Sequence, residues 1–237
     1  VRPLLRCFGM LLRQVAKDSM LYAVLAAPLL AGSMFRFGIP YIETLLSGAW
    51  GRPAMFAPYY LMFDLFLAIM TPYIFCFAAS MVVLTERDEN MAAYMAVTPV
   101  GKRGYIASRL VFPAVLSIFV SLTIMRCFTL TVWSGPMLLL TCGLASLLSI
   151  GLSLFIVSFS QNRVEGMALA KLAGIILLGL PVPFFLASGI QYLFSVLPSF
   201  WIAKLCLDKN YLYTLPALLT SVLWIRALSG RFARKLV

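Results

Sequence analysis

The sequence of 237 residues contains no histidine and only eight acidic residues. The first absence removes imidazole metal sites and histidine proton relays. Cys7, Cys76, Cys127, Cys142 and Cys206 fall at no metal-ligand spacing, so no metal is expected and the thiols read as unpaired residues of apolar surroundings. Charged residues make up 11% of the chain, against roughly 25% in soluble domains. Gly101-Lys102-Arg103 lacks both the upstream glycine and the following Ser or Thr of a phosphate-binding loop. There is no Gly-x-Ser-x-Gly, no His-Glu-x-x-His and no pair of aspartates within one apolar run. The chain is therefore not expected to be an enzyme, and any ATP it uses must be bound by another polypeptide.

What is present is apolar length. The composition is 62% hydrophobic, and several runs reach the ~20 residues that a membrane helix needs. The fold class is an all-α integral membrane protein with six transmembrane helices, at about 19–35, 58–84, 104–128, 137–159, 166–187 and 210–227. Residues 2–17 read as an interfacial amphipathic helix: Leu4, Leu5, Phe8, Leu11, Leu12 and Val15 share one side, and Arg2, Arg6, Arg13 and Lys17 the other. Their spread argues against a cleavable signal. Residues 36–57, rich in Gly and Pro, read as a loop. In the fourth run Gly143, Ser146, Ser149, Gly151 and Ser153 mark a close-packing helix. Residues 188–209 are apolar but interrupted by Gly189 and Pro198, which fits short re-entrant helices buried in protein.

The net charge of +11 is not a nucleic-acid footprint, because the basic residues sit at the ends of apolar runs, where lipid headgroups are their partners. With six spans, every Lys and Arg except Arg36, Arg52, Arg126, Lys204 and Lys209 falls on one side. By the positive-inside rule that side is the cytoplasm, and it holds both termini. The protein is thus expected in the cytoplasmic membrane, as a single domain over residues 1–237.

The densest charge lies in residues 85–103. Asp88, Glu89 and Asn90 suit a helix N-terminus, Met91, Ala92 and Met95 recur at helical spacing, and Pro99 disfavours helix at Thr98. A short amphipathic helix outside the bilayer is the reading. Asp64 is the one acid inside an apolar run. An intramembrane carboxylate is a functional candidate; the alternative is a hydrated carboxylate, or one paired with Arg36 or Arg126. With Phe63, Phe66, Met70 and Phe75 it outlines a possible substrate pathway. Arg109, Lys171 and Arg226 read as snorkelling cations.

The order of elements, with Thr85-Glu86-Arg87-Asp88-Glu89 closing the second span and Thr98-Pro99-Val100 before Lys102-Arg103, resembles the membrane subunit of ABC-2 type (type V) ABC transporters, among them small bacterial drug and bacteriocin exporter permeases. Asn90 stands where that pattern usually has glycine. The resemblance implies a half-transporter. Two permease subunits, two copies of this chain or this chain and a paralogue, pair with two nucleotide-binding ATPase subunits, which hold ATP and Mg; this chain binds no cofactor. Glu86, Arg87, Asp88, Glu89, Met91, Tyr94, Met95, Thr98 and Pro99 would form the helix that couples to the ATPase. The cargo would be hydrophobic or amphipathic: a drug, a peptide or a lipid-like molecule. The alternative is a stand-alone secondary transporter or channel not using ATP, which needs an acid near the bilayer midplane.

Overall fold

The computed structural model describes residues 2–50, 55–89, 104–105, 107–186 and 188–235. Among them there is helix and no strand. Helix α1 (Arg2–Lys17) leads through Asp18 into α2 (Ser19–Ser33). The Asp18 carboxylate accepts from the N–H groups of Met20 and Leu21, at 3.0 and 3.2 Å, and so caps α2. The chain does not become a loop at Arg36, as its glycines and prolines predict. A π turn (Met34–Gly38) carries it into α3 (Ile39–Trp50). Ile39 N–H reaches back to the Met34 carbonyl, and this wider turn precedes Pro40, which has no N–H to give.

Helix α4 (Tyr60–Asp88) is the longest element. A π turn (Ala107–Val111) opens α5 (Phe112–Phe128), and α6 (Gly135–Phe159) follows, with Ser134 at its N-cap and Pro136 in its first turn. Then the chain shortens its step. Helix α7 (Arg163–Ala173), a 3-10 stretch (Gly174–Gly179), the brief α8 (Val182–Phe185), a second 3-10 stretch (Gly189–Val196) and α9 (Pro198–Leu207) precede the last helix, α10 (Thr214–Lys235). Among the described residues five helical stretches are long and apolar enough to cross a membrane: Ser19–Gly48, Ala57–Asp88, Ser108–Phe128, Gly135–Phe159 and Tyr211–Phe232. The stretch predicted as a fifth span, 166–187, with a break at Pro181 and Pro183, is already divided at Gly174, where α7 gives way to the 3-10 stretch.

The second and fourth of these stretches form the centre, and the first and last lie at the periphery with few of their residues buried. Small polar side chains stitch the centre together, as expected where no water competes. Ser80 and Ser153 hydroxyls lie 2.5 Å apart between α4 and α6, and Ser153 also donates to the Cys76 carbonyl. Ser146 of α6 donates to Ala114 O of α5 at 2.8 Å, and Ser158 to Leu228 O of α10 at 3.2 Å. Ser146, Ser149, Gly151 and Ser153 are all buried, whereas Gly143 faces open space. The four cysteines described, Cys76, Cys127, Cys142 and Cys206, are free thiols.

Helix α1 turns part of its apolar side onto the protein. Leu11 and Val15 are buried in a cluster with Ala78, Val82 and Leu110, and the rings of Phe8 and Phe112 are 5.4 Å apart. Burial of two such side chains stabilises this docking by about 1.5–3 kcal/mol each. Arg13 and Lys17 remain exposed.

Gly179 packs closely against the start of α9. A Cβ on Gly179 would sit 2.5 Å from Ser199 Oγ and 3.0 Å from Phe200 N. Gly179→Val is therefore expected to cost about 1–3 kcal/mol through overpacking, read as a lowered Tm in detergent, whereas Gly143→Ala should leave the Tm unchanged or raise it.

Candidate functional site at the Glu86 end of the bundle

Helix α4 carries two buried carboxylates, Asp64 and Glu86, each 1% exposed. At 1.5 Å per residue they are about 33 Å apart, and at 100° per residue they project about 40° from one another. That is one hydrocarbon thickness, with both acids on the side of α4 that meets α5 and its flanking turns.

At one end Asp64 accepts from the N–H of Leu130 at 2.8 Å, the N–H of Thr131 at 2.9 Å, the Thr131 hydroxyl and the Trp133 indole N–H at 3.1 Å. Neither Arg36 nor Arg126 pairs with it; Arg36 instead donates to Thr129 O at 2.8 Å. Four donors from the turn between α5 and α6 saturate the carboxylate, so it organises that turn. Of its predicted neighbours, Phe63 stacks obliquely on Phe35, Phe66 packs at the edge of the core, and Phe75 lines a narrow apolar slot beside Phe8 and Leu25. Met70 is half-buried. These side chains do not converge on one cavity.

The same end holds two features that the sequence did not announce. Glu43, placed in the supposed loop, accepts from Phe56 N, Ala57 N and the Tyr60 hydroxyl, and so fixes the entry to α4. Lys204 is buried on α9, 3.3 Å from the Asp208 carboxylate, with its ammonium over the rings of Tyr192 and Tyr213 at 5.5 and 5.6 Å. Aromatic residues on both sides of a lysine were the available signal.

At the other end, Glu86, Arg87 and Asp88 do not start a new helix. They are the last turn of α4, which stops at Glu89, whose N–H donates to Thr85 O at 3.0 Å. Acidic residues there oppose the helix dipole, and each is compensated by a group from elsewhere. Glu86 is held by the Arg109 fork, with Arg109 Nε 3.1 Å from Oε2 and an Arg109 terminal nitrogen on Oε1. Tyr105 donates its hydroxyl to Oε2 at 2.9 Å. Arg109 and Tyr105 are each 1% exposed; Arg109 does not snorkel. Burial and the Glu86 charge push the Tyr105 hydroxyl far above its usual range. Arg87 donates to Ser160 O at the end of α6, at 3.2 Å. The Asp88 carboxylate accepts the Arg163 backbone N–H at 3.1 Å, one of the free donors of the first turn of α7. The Arg163 guanidinium then pairs with Asp18.

Three consecutive residues thus tie the end of α4 to α5, α6 and α7, and Arg163 extends the tie to the elbow between α1 and α2. Beside it opens a cleft of about 300 Å³ lined by Gln14, Lys17, Asp18, Thr85, Glu89 and Arg163. Asp88 and Glu89 are exposed. Met91, Tyr94, Met95, Thr98 and Pro99, the remaining residues expected to couple, lie outside the described residues. Residues 90–103 therefore leave from Glu89 and return at residue 104, between the two partners of the Glu86–Arg109 pair. Among the described residues no group of His, Cys, Asp and Glu side chains forms a metal site.

A family model described as "Fluoroquinolones export permease protein Rv2686c-like" matches residues 11–229. Two curated relatives, fluoroquinolones export permease proteins MT2760 and Rv2686c from two strains of Mycobacterium tuberculosis (CDC 1551 / Oshkosh and H37Rv), are each 25% identical over 195 residues, covering 81% of this chain and 77% of theirs. No solved structure matches.

Burial raises the Asp18 carboxyl, but the Arg163 hydrogen bond and charge and the two capping N–H groups outweigh it and hold the group below the ordinary aspartate range. Its contribution to stability is then fully present above the ordinary value near 3.9 and fades only as pH falls through the lowered one. The Tm difference between wild type and Asp18→Asn should be constant from about pH 6 to 8 and shrink only below about pH 4.

Proposed function

The chain belongs to the family of Rv2686c-like fluoroquinolones export permeases, and from that premise we propose that it is the membrane subunit of an ATP-driven exporter. The family is one of multi-pass transport subunits rather than enzymes, and it fits the ABC-2 type permease. A separate ATPase subunit, in two copies and holding ATP and Mg, docks at the Glu86 end, onto residues 90–103 and the exposed Asp88 and Glu89. A second copy of this chain or a paralogue completes the membrane half. The observation that carries the reading is the junction of Glu86, Arg87, Asp88 and Arg163. It supplies what a coupled permease needs: a charged segment outside the bilayer whose base is fastened to four neighbouring elements.

A sixth crossing completes the topology. Helix α7, the 3-10 stretch after it and α8 together span about 35 Å, enough for one irregular passage. Such a passage requires cover by protein, and Gly179, Leu180, Val182 and Pro183 are buried. Helix α9, about 15 Å long, is then a re-entrant element. Both termini and the Glu86 end face the cytoplasm, where the Lys and Arg residues concentrate, and α1 lies at the inner surface of the cytoplasmic membrane. The cargo is hydrophobic or amphipathic, with a fluoroquinolone as the first substrate to test because the relatives bear that name.

A secondary transporter needs a titratable acid open to the pathway. Among the described residues Asp64 is saturated by four donors and Glu86 is paired, which favours the ATP-driven reading. Inside-out vesicles decide between them. A fluorescent fluoroquinolone should accumulate only with the ATPase subunit and ATP present, and a protonophore should not stop it. Accumulation without ATP that a protonophore abolishes would establish the secondary transporter instead.

A further inference from the structure

We propose that Glu86 is a positioning residue, which with Arg109 and Tyr105 pins the two ends of the 90–103 segment together and does not touch the ATPase. This deepens the coupling reading above and rests on it. The sequence grouped Glu86 with Asp88 and Glu89 as one charged docking surface. The structure separates them: Glu86 is 1% exposed, whereas Asp88 and Glu89 face outward.

Both oxygens of Glu86 are engaged from the far side of the segment. Oε1 and Oε2 take the Arg109 fork, and Oε2 also takes the Tyr105 hydroxyl. A two-pronged arginine–carboxylate contact fixes orientation as well as distance. Arg109 sits in the π turn Ala107–Val111, ahead of Pro113, which offers no N–H to the preceding turn. The wider turn is held from within by Ser108, whose buried hydroxyl donates to the Tyr105 carbonyl at 2.9 Å. The strand of chain that returns from the segment is therefore clasped at residues 105 and 109, and the strand that leaves is clasped at residue 86.

The mechanical consequence follows from elementary statics. A force applied to a loop held at two separate hinges bends the loop. Applied to a loop whose ends are locked to each other, it moves the two helices behind them together. The Glu86–Arg109–Tyr105 clasp thus converts a push on residues 90–103 into a joint displacement of α4 and α5, and α4 leads along its length to Asp64 at the opposite end. In its absence ATP turnover continues while the push is not passed on to the two helices.

The test uses the permease reconstituted with its ATPase subunit, reading three quantities: ATPase capture, ATP turnover and cargo moved per ATP. For Glu86→Gln and Arg109→Lys, capture and turnover should stay within about twofold of wild type, and cargo moved per ATP should fall about tenfold, the size of a typical coupling between sites. Glu89→Ala should do the reverse, weakening capture and leaving the cargo ratio unchanged. Loss of capture in Glu86→Gln would place this residue on the docking surface and overturn the proposal, as would an unchanged cargo ratio in folded protein. Where Glu86→Gln fails to insert, Tyr105→Phe removes a single hydroxyl: a lowered cargo ratio supports the clasp and an unchanged one overturns it. A wild-type chain that captures no ATPase at all would remove the exporter reading, and the clasp with it.

Discussion

Everything at the Glu86 end depends on one buried ion pair. A carboxylate and a guanidinium removed from water are costly unless each satisfies the other's hydrogen-bonding groups. Glu86 meets that condition because Arg109 presents a fork and Tyr105 adds a hydroxyl. The pair brings together residues 23 positions apart in the chain, on either side of residues 90–103. Breaking such a pair by removing one member leaves an unpaired buried charge, which costs about 3–5 kcal/mol. The pair is thus worth more as a geometric constraint than as a source of net stability.

The opposite end repeats the device with neutral partners. Asp64 collects the backbone and side chains of the turn from Leu130 to Trp133, and Glu43 collects the turn before α4. A single helix therefore fastens turns at both faces of the bundle through acids placed about one hydrocarbon thickness apart. Between them the binding is by serine hydroxyls and close approach, at Ser80, Ser153 and Ser146. This division suits a transport protein. Each end is held by carboxylates that collect several donors, and the middle by single hydroxyl contacts between helices.

The apolar runs and the small-residue side of α6 were legible because they rest on local rules of length and size. Two kinds of feature were not. Glu86 looked like its neighbours Asp88 and Glu89, since nothing local distinguishes a buried acid from a solvated one when its partner lies beyond an intervening segment. Arg109, near the end of an apolar run, carried the usual signature of a snorkelling cation for the same reason. Glycine and proline at 38 and 40 argued for a loop, yet a π turn absorbed the missing donor and α3 continued. In residues 166–187 the break at Pro181 and Pro183 was legible from the prolines, but the 3-10 stretch from Gly174 to Gly179 was not, since no hydropathy window resolves a change of helical step.

Sidedness is where the account is most directly exposed. Glu89 and Cys127 lie at opposite ends of the bundle, and both are exposed. In a Cys7→Ser background, a cysteine introduced as Glu89→Cys should react with a membrane-impermeant maleimide in inside-out vesicles and be protected in intact cells, while the native Cys127 shows the opposite pattern. Labelling of position 89 from outside the cell would put the Glu86 end beyond the reach of any cytoplasmic motor and contradict the account.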